Sequence, residues 1–322
     1  MTGKVGYKFL VQAGSSLKLT DAIEIDNEPT ADDVTAFLAA NSSTLESCRQ
    51  ALRHDLCVPL VYNESYTSEF VLCDVARSFA LAAKSAHRRG ETALAIDYGL
   101  DILALSTGMR RGGIILDALA AMTAEGIGIN SLRSMRTDVN GKESAILANR
   151  VLELSSRRES IDDIFERNQQ WEAAVDLPND GPVDIDCLDT KDLDEDTASL
   201  VKEMIRSIAE LPEYEFDQLH RHLDNRGEAL LGLLCIELAI QAYRAGNGTP
   251  PPQLHELSPQ FIRDVPRDPF SMTDFVYKIA DGYTLVYSSG PSGVDHGGVF
   301  GSWPDVECGD ADLCLDVYDY GW

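Results

Sequence analysis

A chain of 322 residues, 44% of them apolar, is long enough to bury one large core or two ordinary ones. Its 53 acidic residues against 27 Lys and Arg leave a net charge of −26, a field that repels phosphate backbones and anionic lipid and predicts no nucleic-acid binding. Seven cysteines, at 48, 57, 73, 187, 235, 308 and 314, show no CxxC spacing and give no support to a zinc ribbon or a thioredoxin-like site.

Residues 1–29 lack clear periodicity and predict an extended arm; they hold no sustained apolar run, so no signal peptide is predicted. Thr30-Ala31-Asp32-Asp33 sets a capping hydroxyl three residues before an acid and predicts a helix running to about Arg53. Residues 57–62, CVPLVY, read as a short connector packed on the core. Leu72, Val75, Phe79, Ala82 and Ala86 recur at spacings of three and four, which predicts a helix from Glu69 that Gly90 stops. Ala93, Ile96, Leu100 and Leu103 predict a second helix, so the two form an antiparallel hairpin.

Further helices are predicted over 114–135, 143–154 and 160–174, the last opened by the capping pattern Ser160-Ile161-Asp162-Asp163. The glycines of GIGIN at 126–130 predict a bend in the first of them. Residues 176–196 carry nine acids and one Lys and read as a linker or long loop. They do not make an EF-hand, because Pro178 and Cys187 fall where ligands are needed. Helices resume over 197–211 and 215–223. From Ala229 to Tyr243 only Gly232, Glu237 and Gln241 interrupt the apolar character. That run is short for a bilayer and carries Glu237, so no membrane span is predicted; apolar nearly all round, it is expected to be a buried spine. Cys235 is then a small buried hydrophobe and Glu237 a partner of loop backbone. Asp268-Pro269 predicts a turn before two strands, Phe275–Ile279 and Tyr283–Tyr287, joined at Asp281-Gly282.

Catalytic signatures are lacking: there is no P-loop, GxSxG, HExxH or dinucleotide fingerprint. His220-Arg221-His222 reads as exposed, and histidines two apart on a helix make a poor chelate. His296 beside Asp295 has no nucleophile at a useful spacing. No small-molecule substrate is identified.

Two resemblances add to this reading. Gly90-Glu91-Thr92-Ala93-Leu94-Ala95-Ile96 is similar to the inter-helix turn of a tetratricopeptide repeat, with Ala95 as the small residue at the close approach; no second copy occurs at the ~34-residue period. The C-terminal part resembles the C-terminal domain of the type II secretion major pseudopilins. The resemblance runs through Ala239-Ile240-Gln241-Ala242-Tyr243-Arg244, Asn247-Gly248, Pro250, Leu254, Leu257, Val265-Pro266-Arg267-Asp268-Pro269, Tyr287-Ser288-Ser289-Gly290 and Gly293. With the helical part, the whole chain looks like a family of bacterial envelope proteins. The resemblance implies calcium in the Gly-rich loop, held by Asp312 with Asp295, Asp310 and the Ser289 carbonyl; Ser292 stands where the family often has Asp. Cys308 and Cys314 could pair in an oxidising compartment or stay free.

The expectation is a mainly α chain. An arm at 1–29 leads into a helical-hairpin, tetratricopeptide-like domain over 30–226 that contains the acidic loop 176–196. A small α+β pseudopilin-like module with a short antiparallel sheet and an acidic tail follows over 227–322. The expected function is non-catalytic interaction with a protein partner at the cell envelope. The alternative is a metal-dependent hydrolase with an acidic cleft between the domains.

Overall fold

The computed structural model describes residues 3–19, 29–62, 71–175, 213–280, 283–300 and 311–316. Among them are eight α-helices and one two-stranded antiparallel sheet, so the fold is mainly α. The helices are α1 Gly3–Gly14, α2 Ala31–Leu52, α3 Val71–Arg88, α4 Thr92–Arg110, α5 Ile115–Met135, α6 Gly141–Ser155, α7 Ile161–Ala174 and α8 Glu213–Asn247. The strands are β1 Val276–Ala280 and β2 Tyr283–Tyr287, paired from Val276 with Tyr287 to Ala280 with Tyr283.

Local chemistry explains most boundaries. Thr30 accepts from the Asp33 N–H while the Asp33 carboxylate accepts from the Thr30 N–H, closing the predicted capping box of α2. Ser160 caps α7 by accepting from Asp162 and Asp163. Asn140 caps α6 through the Glu143 N–H, a cap the sequence reading passed over. Gly90 ends α3 at φ +77°: its N–H reaches the His87 carbonyl and the Glu91 N–H reaches that of Ala86. A side chain would be strained there, and the two bonds satisfy carbonyls that a helix end leaves orphaned. The chain then turns straight into α4, giving the expected hairpin. In the 57–62 connector Val58 and Leu60 are buried as expected, while Val61 and Tyr62 are exposed.

Three expectations are corrected. Residues 3–14 are helical and not part of an extended arm. The buried face of α1 is Gly6, Tyr7, Leu10, Ala13 and Gly14; three of these five are Gly or Ala, so the stripe carries little hydrophobic signal. The helices expected at 215–223 and 229–243 are one, α8, of 35 residues and roughly 50 Å. Gly227 sits inside it because the loss of helix propensity is small beside the packing along the whole length. The boundary expected at 226/227 therefore falls within a helix. The expected helix 197–211, the acidic segment 176–196 and the Asp281-Gly282 turn lie outside the described residues.

One apolar cluster holds both parts together. It runs from Leu100, Leu132 and Leu147 through Leu234 and Ile236 of α8 to Phe275, Val286, Leu313 and Leu315. A second, built on Tyr7, Leu10, Leu45, Phe79 and Ile102, fills the space between α1, α2, α3 and α4. By length and composition α8 could cross a membrane, but 67% of its most apolar window is buried within the protein, as befits a core helix.

Candidate functional site

The C-terminal module gathers its polar groups at one end of the hairpin. Asp268 comes from the predicted Asp-Pro turn and is buried. Its Oδ1 accepts from the Phe270 N–H at 3.1 Å and from Ser288 Oγ at 2.8 Å. Its Oδ2 accepts from Ser271 Oγ at 3.2 Å, from the Ser289 N–H at 2.9 Å and from Ser289 Oγ at 2.8 Å. One carboxylate thus ties the turn before β1 to the Ser-Ser-Gly step after β2. Five donors spread its charge without a cation, as polar groups taken out of water require.

Asp312 lies in a short stretch that returns to β2. Leu313 exchanges two backbone hydrogen bonds with Ser288, and the Asp312 N–H donates to the Val299 carbonyl. The Asp312 side chain is buried, and its two oxygens accept from the His296 N–H at 3.1 Å and the Gly298 N–H at 2.8 Å. Asp295 accepts from Tyr287 Oη at 2.6 Å and from the Gly297 N–H at 2.7 Å. Those bonds, with Lys278 nearby, hold its carboxyl below the usual carboxylate range. The Tyr287 hydroxyl is itself raised, first by burial and then by its bond to Asp295, so it is a neutral strut and not an activated phenolate.

The structure therefore brings Asp312, Asp295 and Ser289 to one loop cluster, while Asp310 and Cys308 lie outside the described residues. For calcium the donor set is the test. The described groups facing the Asp312 carboxylate are two peptide N–H donors and the His296 ring, whose Nδ1 stands 3.9 Å from Oδ1, where calcium needs carbonyl and carboxylate oxygens. Ser289 turns its N–H and hydroxyl to Asp268, and its carbonyl accepts from Ser292 Oγ at 3.4 Å. Among the described residues no group of three or more His, Cys, Asp and Glu is arranged to hold a metal ion.

A second polar centre escaped the sequence reading. Arg110 at the end of α4 and Arg158 in the α6–α7 loop are both buried, and both reach Asp224 of α8, at 2.5 and 2.8 Å. Arg158 also grips Glu125 of α5 at 2.8 and 3.2 Å, and Arg110 Nε donates to the Glu159 carbonyl at 2.6 Å. Burial disfavours the Arg158 charge, but the attraction of Glu125 and then Asp224 outweighs it and raises its pKa. Gly227 is required here: a Cβ at that position would stand 2.2 Å from Glu125 Oε2. The available signal was Glu125 within an otherwise apolar helix face, a charge that must find a partner once buried.

Glu237 pairs with Arg136 at 2.8 Å, and not with loop backbone as expected. Burial pushes its carboxyl up to about 7 despite that partner. The same guanidinium holds Asp316 at 2.6 and 2.7 Å, while Arg133 donates to the Leu315 carbonyl at 2.9 Å, so the returning C-terminal stretch is strapped to the end of α5. Nor is the whole 220–222 histidine cluster exposed. His220 is buried, its Nδ1–H donates to the Phe216 carbonyl at 2.6 Å, and burial lowers its pKa, so it is a neutral core group. Cys235 is buried against the Ala148 carbonyl, as expected, and burial raises its thiol.

Around these centres the hairpin and its loops expose apolar side chains: Met272 71%, Ile279 46%, Tyr283 81%, Leu285 39%, Val294 58% and Val299 61%. Met272 also adopts φ 58°, an uncommon conformation for a residue with a side chain. Comparison with protein-family models, curated proteins and solved structures finds no match.

Proposed function

We propose that this chain is a non-catalytic protein-interaction or scaffold protein, and that the outer face of the β1–β2 hairpin receives an apolar protein partner. The observation that carries this is Tyr283, 81% exposed, and Leu285, 39% exposed, which share one face of β2, with Val299, 61% exposed, on the loop beside them. Single exposed apolar residues are ordinary, but several on one small module suit an interface. The hairpin stands on a rigid helix, α8, and is braced by Asp268, so it is presented without ordering cost.

Site-specific photo-crosslinking tests the reading. A crosslinker at Tyr283 or Val299 should capture one defined partner in cells, one at Ile146 on α6 should not, and Leu285→Lys should abolish the capture. Equal products from the hairpin and from Ile146 would overturn it.

The pseudopilin-like reading of residues 227–322 belongs to this proposal. An antiparallel hairpin against the C-terminal half of a long helix, with a loop returning beside β2, agrees with it. So does the tetratricopeptide-like reading of the α3–α4 hairpin, in which Ala95 is fully buried beside a tight turn. An envelope location follows from the same resemblance. A calcium-stabilised loop would require the His296 and Gly298 N–H groups to turn away from Asp312. A melting-temperature rise under calcium titration that Asp312→Ala removes would support the ion, and no rise would remove it. The hydrolase alternative is the weaker reading, because Glu125 and Asp224, the buried carboxylates between α5 and α8, are already matched by Arg158 and Arg110.

A further inference from the structure

Helix α1 carries a basic and apolar face in an otherwise acidic chain. Lys4, Val5, Lys8, Phe9 and Gln12 are exposed along one face, opposite the buried Gly6, Tyr7, Leu10, Ala13 and Gly14. Lys4 and Lys8 stand four apart, as do Val5 and Phe9, so a basic row runs beside an apolar row. Val5 is 50% exposed and Phe9 38%. Residues 1–20 hold three of the 27 basic residues and no acid; the remaining 302 hold 24 bases against 53 acids, a balance of −29. Among the described residues no carboxylate pairs with Lys4, Lys8 or Lys18, although acids outnumber bases about two to one.

We infer that this face of α1 docks on an anionic bilayer surface, with Lys4 and Lys8 at the headgroups and Val5 and Phe9 at the acyl boundary. Like charges at i,i+4 repel, and an anionic surface relieves that repulsion. An amphipathic helix lying in the interface needs this composition: lysines flanking aromatic and aliphatic side chains. The acidic body does not prevent contact, because its charge is screened beyond roughly 8 Å at physiological salt; closer in, it turns the molecule so that α1 faces the lipid. The proposal is independent of the reading of the C-terminal module.

Sedimentation of the full chain with vesicles tests it. Vesicles of phosphatidylcholine mixed with phosphatidylserine should carry the protein down, pure phosphatidylcholine vesicles should not, and raised salt should release it. Each lysine at such a surface is worth about five-fold in partitioning, so Lys4→Gln with Lys8→Gln should weaken binding about 25-fold. Val5→Ser with Phe9→Ser should weaken it without changing its salt dependence. All four side chains are exposed, so unchanged circular dichroism and melting temperature will show that the variants fold. No sedimentation of the parent with anionic vesicles, or equal binding by the lysine variant, overturns the inference. So does capture on immobilised poly-glutamate without vesicle binding, which would make the partner an acidic protein.

Discussion

Asp268 shows how much one side chain can organise. The turn it was expected to form is present, but its larger part is to accept hydrogen bonds from Ser288 and Ser289 across the module. Asp268→Ala would orphan buried donors on both segments, which costs about 3 kcal/mol or more. Chemical denaturation should report that loss; a change below about 1 kcal/mol would mean the carboxylate is not the brace. Glu237 has a different dependence. Its folded-state pKa is raised from an ordinary 4.5 to about 7, so between these values the folded protein binds more proton than the unfolded chain. Its contribution therefore falls as pH rises from about 4.5 to 7, with a slope no steeper than about 1.4 kcal/mol per pH unit. Glu237→Gln should flatten that fall, and a stability profile identical to the parent's would show that the pair with Arg136 hides the effect of burial.

Helix α8 is the element on which the rest depends. Its apolar length is held by α5 and α6, and its N-terminal half is anchored by charge where apolar contacts thin out. Arg158 is the centre of that anchor, with Glu125 on α5 and Asp224 on α8 both in its grip. Arg158→Met should cost about 3–5 kcal/mol, because it leaves Glu125 buried without a cation and Asp224 with Arg110 alone. Adding Glu125→Leu should recover part of the loss, and a double-mutant cycle in urea measures the coupling. If the single change is neutral, water reaches the cluster and the network is no lock. The other helices rest on local chemistry in addition: the caps at Thr30, Asn140 and Ser160 each sit where backbone N–H groups would otherwise lack partners.

At the scale of the whole molecule, one apolar cluster joins the helical part to the C-terminal module through α8. Leu234 lies fully buried in it, so Leu234→Asp should abolish a single cooperative transition. Two separate melting transitions, the first unchanged by the substitution, would mean that the parts fold independently. The −26 charge makes a second expectation: no retardation of DNA or RNA at physiological salt, checked by gel shift. Periodicity and capping residues were enough to place α2, α3, α5, α6, α7, the start of α4, the apolar heart of α8 and both strands within a residue or two, because these depend on neighbours a few positions away. The net charge was likewise legible from composition. The small buried face of α1 and the unbroken course of α8 past Gly227 were not, since each is decided by what packs against it. The polar centres were least legible of all: Arg158 meets Asp224 66 residues away, and Asp268 meets Ser288 20 away. A charged residue in the chain shows only that it needs a partner once buried, and the tertiary structure alone decides which one it finds.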